Sequence, residues 1–345
     1  MKKILLISPF YNGLYRYERP LYEELTKEYG DEYIFYHLGN PQMTFDINTI
    51  ELVVNDLVDK IIEFNPDIIH YNYGTYDVEQ LLPFYLAKKG FKCKTILTYH
   101  SLQLDLFKKI GIPELDEAAN EYMGKMDAYV FFTEYGKKTF YHKYPNSNMK
   151  NIIAFHPATH LDEKLSSDEK EKYFAEYGLD KKGKFATLLG YPSHWKDTRP
   201  VIKLVKNFPN INFVIAGPWW KEKIEKENED FVIENYKNLT IINEEINVEE
   251  FNFLLDLGIG IFPYHYFKSF QGSGLLPNYL YRGINTIIND FEPLKEYKND
   301  GVDFYDDDKL FDAFEKCIAN PVTKKDLRFS YSEHAKNIIC LYREV

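Results

Sequence analysis

The 345-residue sequence predicts two consecutive α/β domains, each a parallel β-sheet covered by helices on both faces. Three observations carry this prediction. Short apolar runs alternate with amphipathic stretches of helical period. The alternation holds from residue 4 to residue 155, breaks in a charge-dense stretch, and restarts at residue 185. The length also suits two cores rather than one.

Ile4–Ser8, an apolar run after two lysines, is a buried first strand. Arg19–Tyr29 is a helix with Leu21, Tyr22 and Leu25 on one face, and Tyr33–His37 is the second strand. Ile47–Phe64 is a long helix, because Ile50, Val53, Val54, Leu57 and Ile61 recur at helical spacing. Asp67–Tyr71 is a strand after the Pro66 stop, Gln80–Lys89 a helix ended by Gly90, and Thr95–Tyr99 a strand. Pro113–Lys125 is a helix, Ala128–Phe132 a strand, Glu134–Tyr144 a helix and Asn151–Phe155 the last strand of the series.

The stretch His160–Lys184 is charge-dense, with one helix over Ser167–Tyr177, and is the expected linker. The second series runs through strand Phe185–Leu189, helix Arg199–Lys206, strand Asn212–Ala216 and a charged helical excursion over Lys221–Asn238. It continues with strand Leu239–Asn243, helix Val248–Leu257, strand Ile259–Phe262, helix Leu275–Tyr281, strand Thr286–Asn289 and helix Lys309–Ile318. A final helix covers Tyr331–Tyr342. The expected division is therefore 1–160, a linker over 161–184, 185–326, and a closing segment over 327–345. Both halves are Rossmann-like, so ligands are expected at the loops beyond their strand C-termini.

A hydrophobic fraction of 45% is enough for two cores, and a net charge of -11 argues against nucleic acid as a partner. The charge is uneven: residues 1–79 carry 6 Lys/Arg against 14 Asp/Glu, and residues 80–150 carry 11 against 7. The basic stretch over 80–150 is a candidate for peripheral contact with anionic lipid or an anionic acceptor; solvated helix faces are the plainer account. Cys93, Cys317 and Cys340 are scattered and lack metal-ligand spacing, which fits a reducing compartment and no structural metal. The apolar start is too short for a signal peptide, and no run of about 20 apolar residues spans a membrane, so a cytoplasmic location is expected.

The segment Phe262–Leu276, FPYHYFKSFQGSGLL, leaves a strand, crosses a loop and enters a helix. Gly272 and Gly274 allow close backbone approach, and Ser273 is an N-cap type. The helix start that follows suits a diphosphate, although such a corner also serves as a plain tight turn.

The run QGSGLLPNYLYRGINTIIND resembles the donor-binding segment of the retaining GT-B glycosyltransferases of the large family four, with Gly283, Ile287, Ile288 and Asp290 in matching places. GYPSHWK resembles that family's opening of the second domain, with Gly190 and Lys196 in register. NINFVIAGP, PDIIHYN and TILTYHS resemble further strands, with His100 at the His of a Thr-x-His pattern, and LRFSYSEHAKNIICLYREV resembles the closing helix. The resemblance implies an acceptor-side first domain, a nucleotide-sugar-binding second domain, and a closing helix that crosses back to the first.

It further implies transfer of a hexose-type sugar from a nucleotide diphosphate sugar, such as a UDP- or GDP-sugar, to a glycan, lipid-linked or other hydroxyl acceptor, with retention. Two departures stand out. The family's Glu-x7-Glu carboxylates fall on Phe270 and Asn278, and the arginine after Gly190 is Tyr191.

The resemblance gives Lys196 and His100 catalytic roles: Lys196 offsets charge on the departing diphosphate, and neutral His100 bonds the donor sugar or polarises an acceptor hydroxyl. Gly13, Gly190, Gln271, Gly272, Ser273, Gly274 and Leu275 are the expected backbone cradle, and Asn278 a ribose contact. The plain alternatives are a surface lysine, a core histidine, turn glycines and a helix-surface asparagine. Arg16, Glu18 and Arg19 read as solvated helix charges, and Tyr71, Tyr73 and Tyr76 as core or surface tyrosines rather than sugar-stacking ones. His156 and His160 lie near the domain junction, and no His/Asp/Glu set has metal spacing, so transfer without a metal or other cofactor is expected. The rival expectations are a catalytically silent GT-B-like protein that binds a glycan or a partner, and a sugar-nucleotide epimerase.

Overall fold

The computed structural model describes residues 1–10, 13–42, 46–73, 78–100, 113–159, 165–228, 231–265, 272–299, 301–306, 308–321 and 324–345. The chain divides into two compact units, one built mainly from Met1–Pro157 and Ser330–Val345, the other from Ala158–Lys268 and Ser273–Phe329.

In the first unit, β1 (Lys2–Ile7), α1 (Gly13–Tyr29), β2 (Tyr33–Leu38), α2 (Ile47–Phe64), β3 (Ile68–Tyr73) and α3 (Leu82–Lys88) are followed by β4 (Lys94–Tyr99), α4 (Pro113–Met123), β5 (Ala128–Phe131), α5 (Glu134–Lys143) and β6 (Asn151–Ile153). The strands form one parallel sheet in the order β2-β1-β3-β4-β5-β6. One face carries a core of Leu5, Ile69, Leu97 and Tyr129 against Val54, Leu57 and Ile61 of α2 and Phe140 of α5. The other face packs Ile4, Leu6, Ile68 and Val130 against Tyr17, Leu21 and Leu25 of α1. The final helix α12 (Tyr331–Glu344) completes that second face with Ala335, Ile338, Ile339 and Leu341. The order changes direction between β1 and β3, which opens a crevice at their C-terminal ends.

The second unit contains α6 (Ser167–Glu176), β7 (Lys184–Leu189), α7 (Arg199–Asn207), β8 (Ile211–Ala216), α8 (Trp220–Glu227), β9 (Leu239–Ile242), α9 (Val248–Asp256), β10 (Gly258–Phe262), α10 (Leu276–Arg282), β11 (Thr286–Asn289), β12 (Val302–Tyr305) and α11 (Leu310–Ala319). Its parallel sheet runs β12-β11-β10-β7-β8-β9. The reversal lies between β7 and β10, so their exits flank the natural ligand crevice of this sheet.

Several elements differ from the sequence expectation. α1 begins at Gly13, not Arg19, and carries Pro20 inside it. Proline lacks the N–H that would reach the Arg16 carbonyl. The Tyr331 hydroxyl supplies it instead, 3.2 Å from both Arg16 O and Tyr17 O. The helix expected over Lys221–Asn238 ends at Glu227, where Asn228 caps its own turn by donating to Ile224 O. β12 was not expected: a four-residue edge strand holding Asp303 has too little apolar signal. α6, expected inside a linker, packs on the second unit, with the Tyr173 and Phe253 rings 5.3 Å apart. A full capping box between Ser166 and Glu169 starts it.

Candidate active site

At the crevice of the second sheet, β7 ends at Leu189 and Gly190 turns the chain with φ +87°. A Cβ at Gly190 would lie 3.2 Å from Lys196 Nζ, in a conformation that L-residues avoid. Lys196, expected to face a diphosphate, has a buried side chain that donates to Leu189 O at 2.9 Å and lies over the Trp220 ring. Burial, with the Lys223 charge adding to it, pulls the Lys196 ammonium down to about 7. It therefore titrates near neutrality, and an anion beside it would restore its proton.

The exit of β10 is laced to this loop. Lys196 and Tyr264 form an antiparallel bridge, and Asp197 N donates to Pro263 O at 2.7 Å. The Tyr264 hydroxyl lies 3.4 Å from Ser273 Oγ. Ser273 Oγ in turn accepts from Leu275 N at 3.3 Å and Leu276 N at 3.0 Å, which starts the short helix α10. Gly190, Lys196, Tyr264 and Ser273 are thus tied together at the switch point of one sheet.

Three expectations need correction here. Leu275 N–H is already bonded to Ser273 Oγ, so it is not a free phosphate donor. Asn278 is fully buried and donates to Gly274 O and Leu275 O, so its amide caps the helix from within rather than facing a ribose. Ser273 is itself buried, which leaves Gly274 as the exposed residue of the corner and Gly272 half-buried beside it. Gln271 and Phe270 lie outside the described residues.

At the β1/β3 crevice of the first sheet, Gly13 opens α1. His100 directly follows β4 and is 8% exposed. Its imidazole lies edge-on to the Tyr17 ring at 5.0 Å and to Phe132 at 4.8 Å, and its Nε2 has no hydrogen-bond partner among the described residues. Burial, followed by the neighbouring His156, His334 and His70, holds it well below the usual histidine range. That shift favours the neutral imidazole.

The neighbouring polar groups form a buried network. Tyr17 OH pairs with His334 Nε2 at 2.6 Å, and His70 bonds Thr98 Oγ1 and Tyr342 OH, each at 2.7 Å. His156 Nδ1 bonds Pro157 O, and burial pushes this ring down to about 4.

Sequence reasoning missed a buried carboxyl beside this network. Glu18, read as a solvated helix charge, is completely buried. Burial raises its carboxyl well above the usual range; the Asn72 amide beside it pulls the other way, but no contact between them reaches bonding geometry. The local signal was present: Glu18 follows Tyr17, and Leu21 and Leu25 continue the same inward face three and seven positions on. Arg16 and Arg19 are exposed as read, and Tyr71 is a core residue. The Tyr73 side chain, Tyr76 and His160 lie outside the described residues.

Among the described residues no helix is long and apolar enough to cross a membrane, and no group of three or more His, Cys, Asp or Glu is placed to hold a metal ion.

No protein-family model matches the chain, and no curated protein sequence matches it. Solved structures do. A sucrose-phosphate synthase from Thermosynechococcus elongatus superposes with a TM-score of 0.70 at 13% identity, over 100% of this chain and 99% of that one. The catalytic domain of starch synthase IV from Arabidopsis thaliana, bound to ADP and acarbose, gives 0.69 at 10% identity over 100% and 99%. A UDP-GlcNAc 2-epimerase from Neisseria meningitidis, bound to UDP-GlcNAc, gives 0.64 at 12% identity over 99% and 100%. Two six-stranded parallel sheets, each with its crevice at a switch point, together with full-length superposition on these enzymes, establish that this chain has the GT-B glycosyltransferase fold.

Proposed function

We propose that this chain transfers a sugar from a nucleoside diphosphate sugar to a hydroxyl of a glycan or lipid-linked acceptor, with retention and without a metal ion. Its main support is one juxtaposition: Gly190, Lys196 and the Ser273–Gly274 corner meet at the β7/β10 switch point. Glycine backbone that admits a close ligand, a lysine poised to regain charge, and a helix start are the components an anionic leaving group needs. Full-length neighbours whose structures hold ADP or UDP-GlcNAc support the nucleotide part.

As the glycosidic bond to the diphosphate breaks, negative charge accumulates on the leaving oxygen, and Lys196 stabilises it. That oxygen then takes the proton of the attacking acceptor hydroxyl on the same face. His100, neutral and with no partner for Nε2 among the described residues, hydrogen-bonds a sugar hydroxyl. The basic stretch over 80–150 is the candidate for peripheral contact with anionic lipid.

A thermal-shift panel of UDP-, GDP- and ADP-sugars tests the assignment, because a ligand at about 100 times its dissociation constant adds roughly 2.7 kcal/mol of apparent stability. Binding of at least one is expected, and a flat panel would leave a silent, partner-binding chain. Lys196→Ala should lower turnover about 100-fold or more while the fold persists, and unchanged turnover removes that role. Activity that survives a chelator is the expected sign of metal independence. A second reading, sugar-nucleotide epimerisation, is favoured by the epimerase neighbour. Product analysis without acceptor separates the two, since only an epimerase converts the donor alone.

A further inference from the structure

The C-terminal ends of β7, β8 and β9 carry a pair of exposed aromatic side chains beside Gly190. Tyr191 is 56% exposed and Trp219 is 61% exposed, with their rings 6.1 Å apart and inclined by 40°. Tyrosine and tryptophan are costly to leave in water, and paired exposed rings at a sheet's ligand edge commonly meet a planar or apolar partner.

Their backbone is built to hold them there. Trp219 adopts the left-handed region, φ 65° and ψ 16°, which a bulky residue rarely occupies outside functional sites. Gly217 precedes it at φ +137°, where a Cβ would fall 2.4 Å from Gly190 O. The buried Trp220 indole N–H donates to that same Gly190 O at 2.8 Å and to Ala216 O at 3.1 Å. The sequence Gly217-Pro218-Trp219-Trp220 therefore packs one indole inward as an anchor and presents the other outward. At the rim, the Tyr191 hydroxyl donates to Glu245 Oε1 at 3.4 Å, which sets a carboxylate at the edge of the tyrosine ring.

We infer that Tyr191 and Trp219 form a stacking site for the nucleobase of the nucleoside diphosphate bound at Gly190 and Lys196, with Glu245 at its edge. This rests on the transferase reading above and adds where the nucleoside sits and which side chains hold it. A diphosphate at Gly190 has its nucleoside within reach of the next residue, Tyr191. Stacking accepts any base because every base has a π-face, and the carboxylate of Glu245 favours a base edge that offers N–H donors.

Calorimetry with UDP, GDP, ADP and inorganic pyrophosphate tests the site on the full-length chain, its Trp219→Ala, Trp219→Phe and Tyr191→Ala variants. Trp219→Ala should weaken the tightest nucleoside diphosphate about 5- to 150-fold and leave pyrophosphate binding as it was. Trp219→Phe should keep most of the affinity, because a ring remains. Nucleoside diphosphate should quench the indole fluorescence of the wild type, and less so in Trp219→Phe. If the wild type binds a nucleoside diphosphate and both alanine variants bind it equally well, the stacking site is wrong and the transferase reading stands. An equal loss for pyrophosphate also overturns the inference, since the phosphate site would then be what Trp219 supports. If the wild type binds none of the nucleotides, both readings fall together.

Discussion

Lys196 and Glu18 are each buried, with no charge partner among the described residues, and burial moves the pKa of each toward the neutral form. For Lys196, the folded value of about 7 lies below the ordinary lysine value of 10.5. The fold therefore binds this proton less well than the unfolded chain, and its penalty is relieved as pH rises between those values. A diphosphate reverses the shift, so nucleotide binding near pH 8 should take up about one proton. Calorimetry in buffers of different ionisation enthalpy reads that number directly, and Lys196→Met should abolish the uptake. Glu18 has the opposite sign. Its folded pKa is raised from the ordinary carboxyl value of 4.5, so its contribution is complete below that value and lost as pH rises through the folded one. The buried His70, His156 and His334, held down at about 3, 4 and 3, add an acid limb: stability falls as pH drops from the ordinary histidine value of 6.5 toward those values. Glu18→Gln should thus match the wild type in urea near pH 4 and exceed it at pH 8. An unchanged difference across that range would show that the carboxyl does not ionise in the fold.

Element order was largely legible, because period-2 and period-3.6 patterns are local properties of the chain. Ile50, Val54, Leu57 and Ile61 marked α2 directly, and Gly283, at φ 71°, ends α10 as a helix-stopping glycine should. The site was legible only as a neighbourhood. Gly190, Lys196 and Ser273 do meet, but the sequence showed neither that Lys196 turns inward nor that Ser273 Oγ takes the Leu275 and Leu276 N–H groups. Those depend on which chain segment lies against which, and β10 exits beside Lys196 through Tyr264, 68 positions further along the chain. Burial of Glu18 was hidden for a similar reason, since α12 arrives from the far end of the chain to cover that face of the sheet. Ser273→Ala tests the helix start itself. Ser273 Oγ is the acceptor of the Leu275 and Leu276 N–H groups, and loss of such a buried hydrogen-bond partner costs about 1 kcal/mol. The variant should unfold at lower denaturant by that amount, and nucleotide affinity should fall because the corner loosens. Unaltered stability would mean that water replaces the hydroxyl without loss.

The first unit closes only when the last helix of the chain returns to it, and Pro20 shows how tightly the two ends are matched. Inside α1 the proline removes the donor that the Arg16 carbonyl would otherwise meet. That carbonyl faces α12, and Tyr331, which opens α12, fills the gap with its hydroxyl. Tyr331 is buried, so removal of its oxygen leaves the Arg16 acceptor poorly solvated rather than returned to water. Tyr331→Phe should therefore destabilise the first unit by about 1–2 kcal/mol, measured by denaturant unfolding followed through near-ultraviolet dichroism. Pro20→Ala gives Arg16 O a helical N–H partner, so the phenylalanine substitution should cost less in that background. A double-mutant cycle isolates this coupling from other effects of each change, including the helix propensity gained at residue 20. A coupling energy near zero would mean that Tyr331 holds α12 through ring packing alone, and that the defect at Arg16 is absorbed within α1.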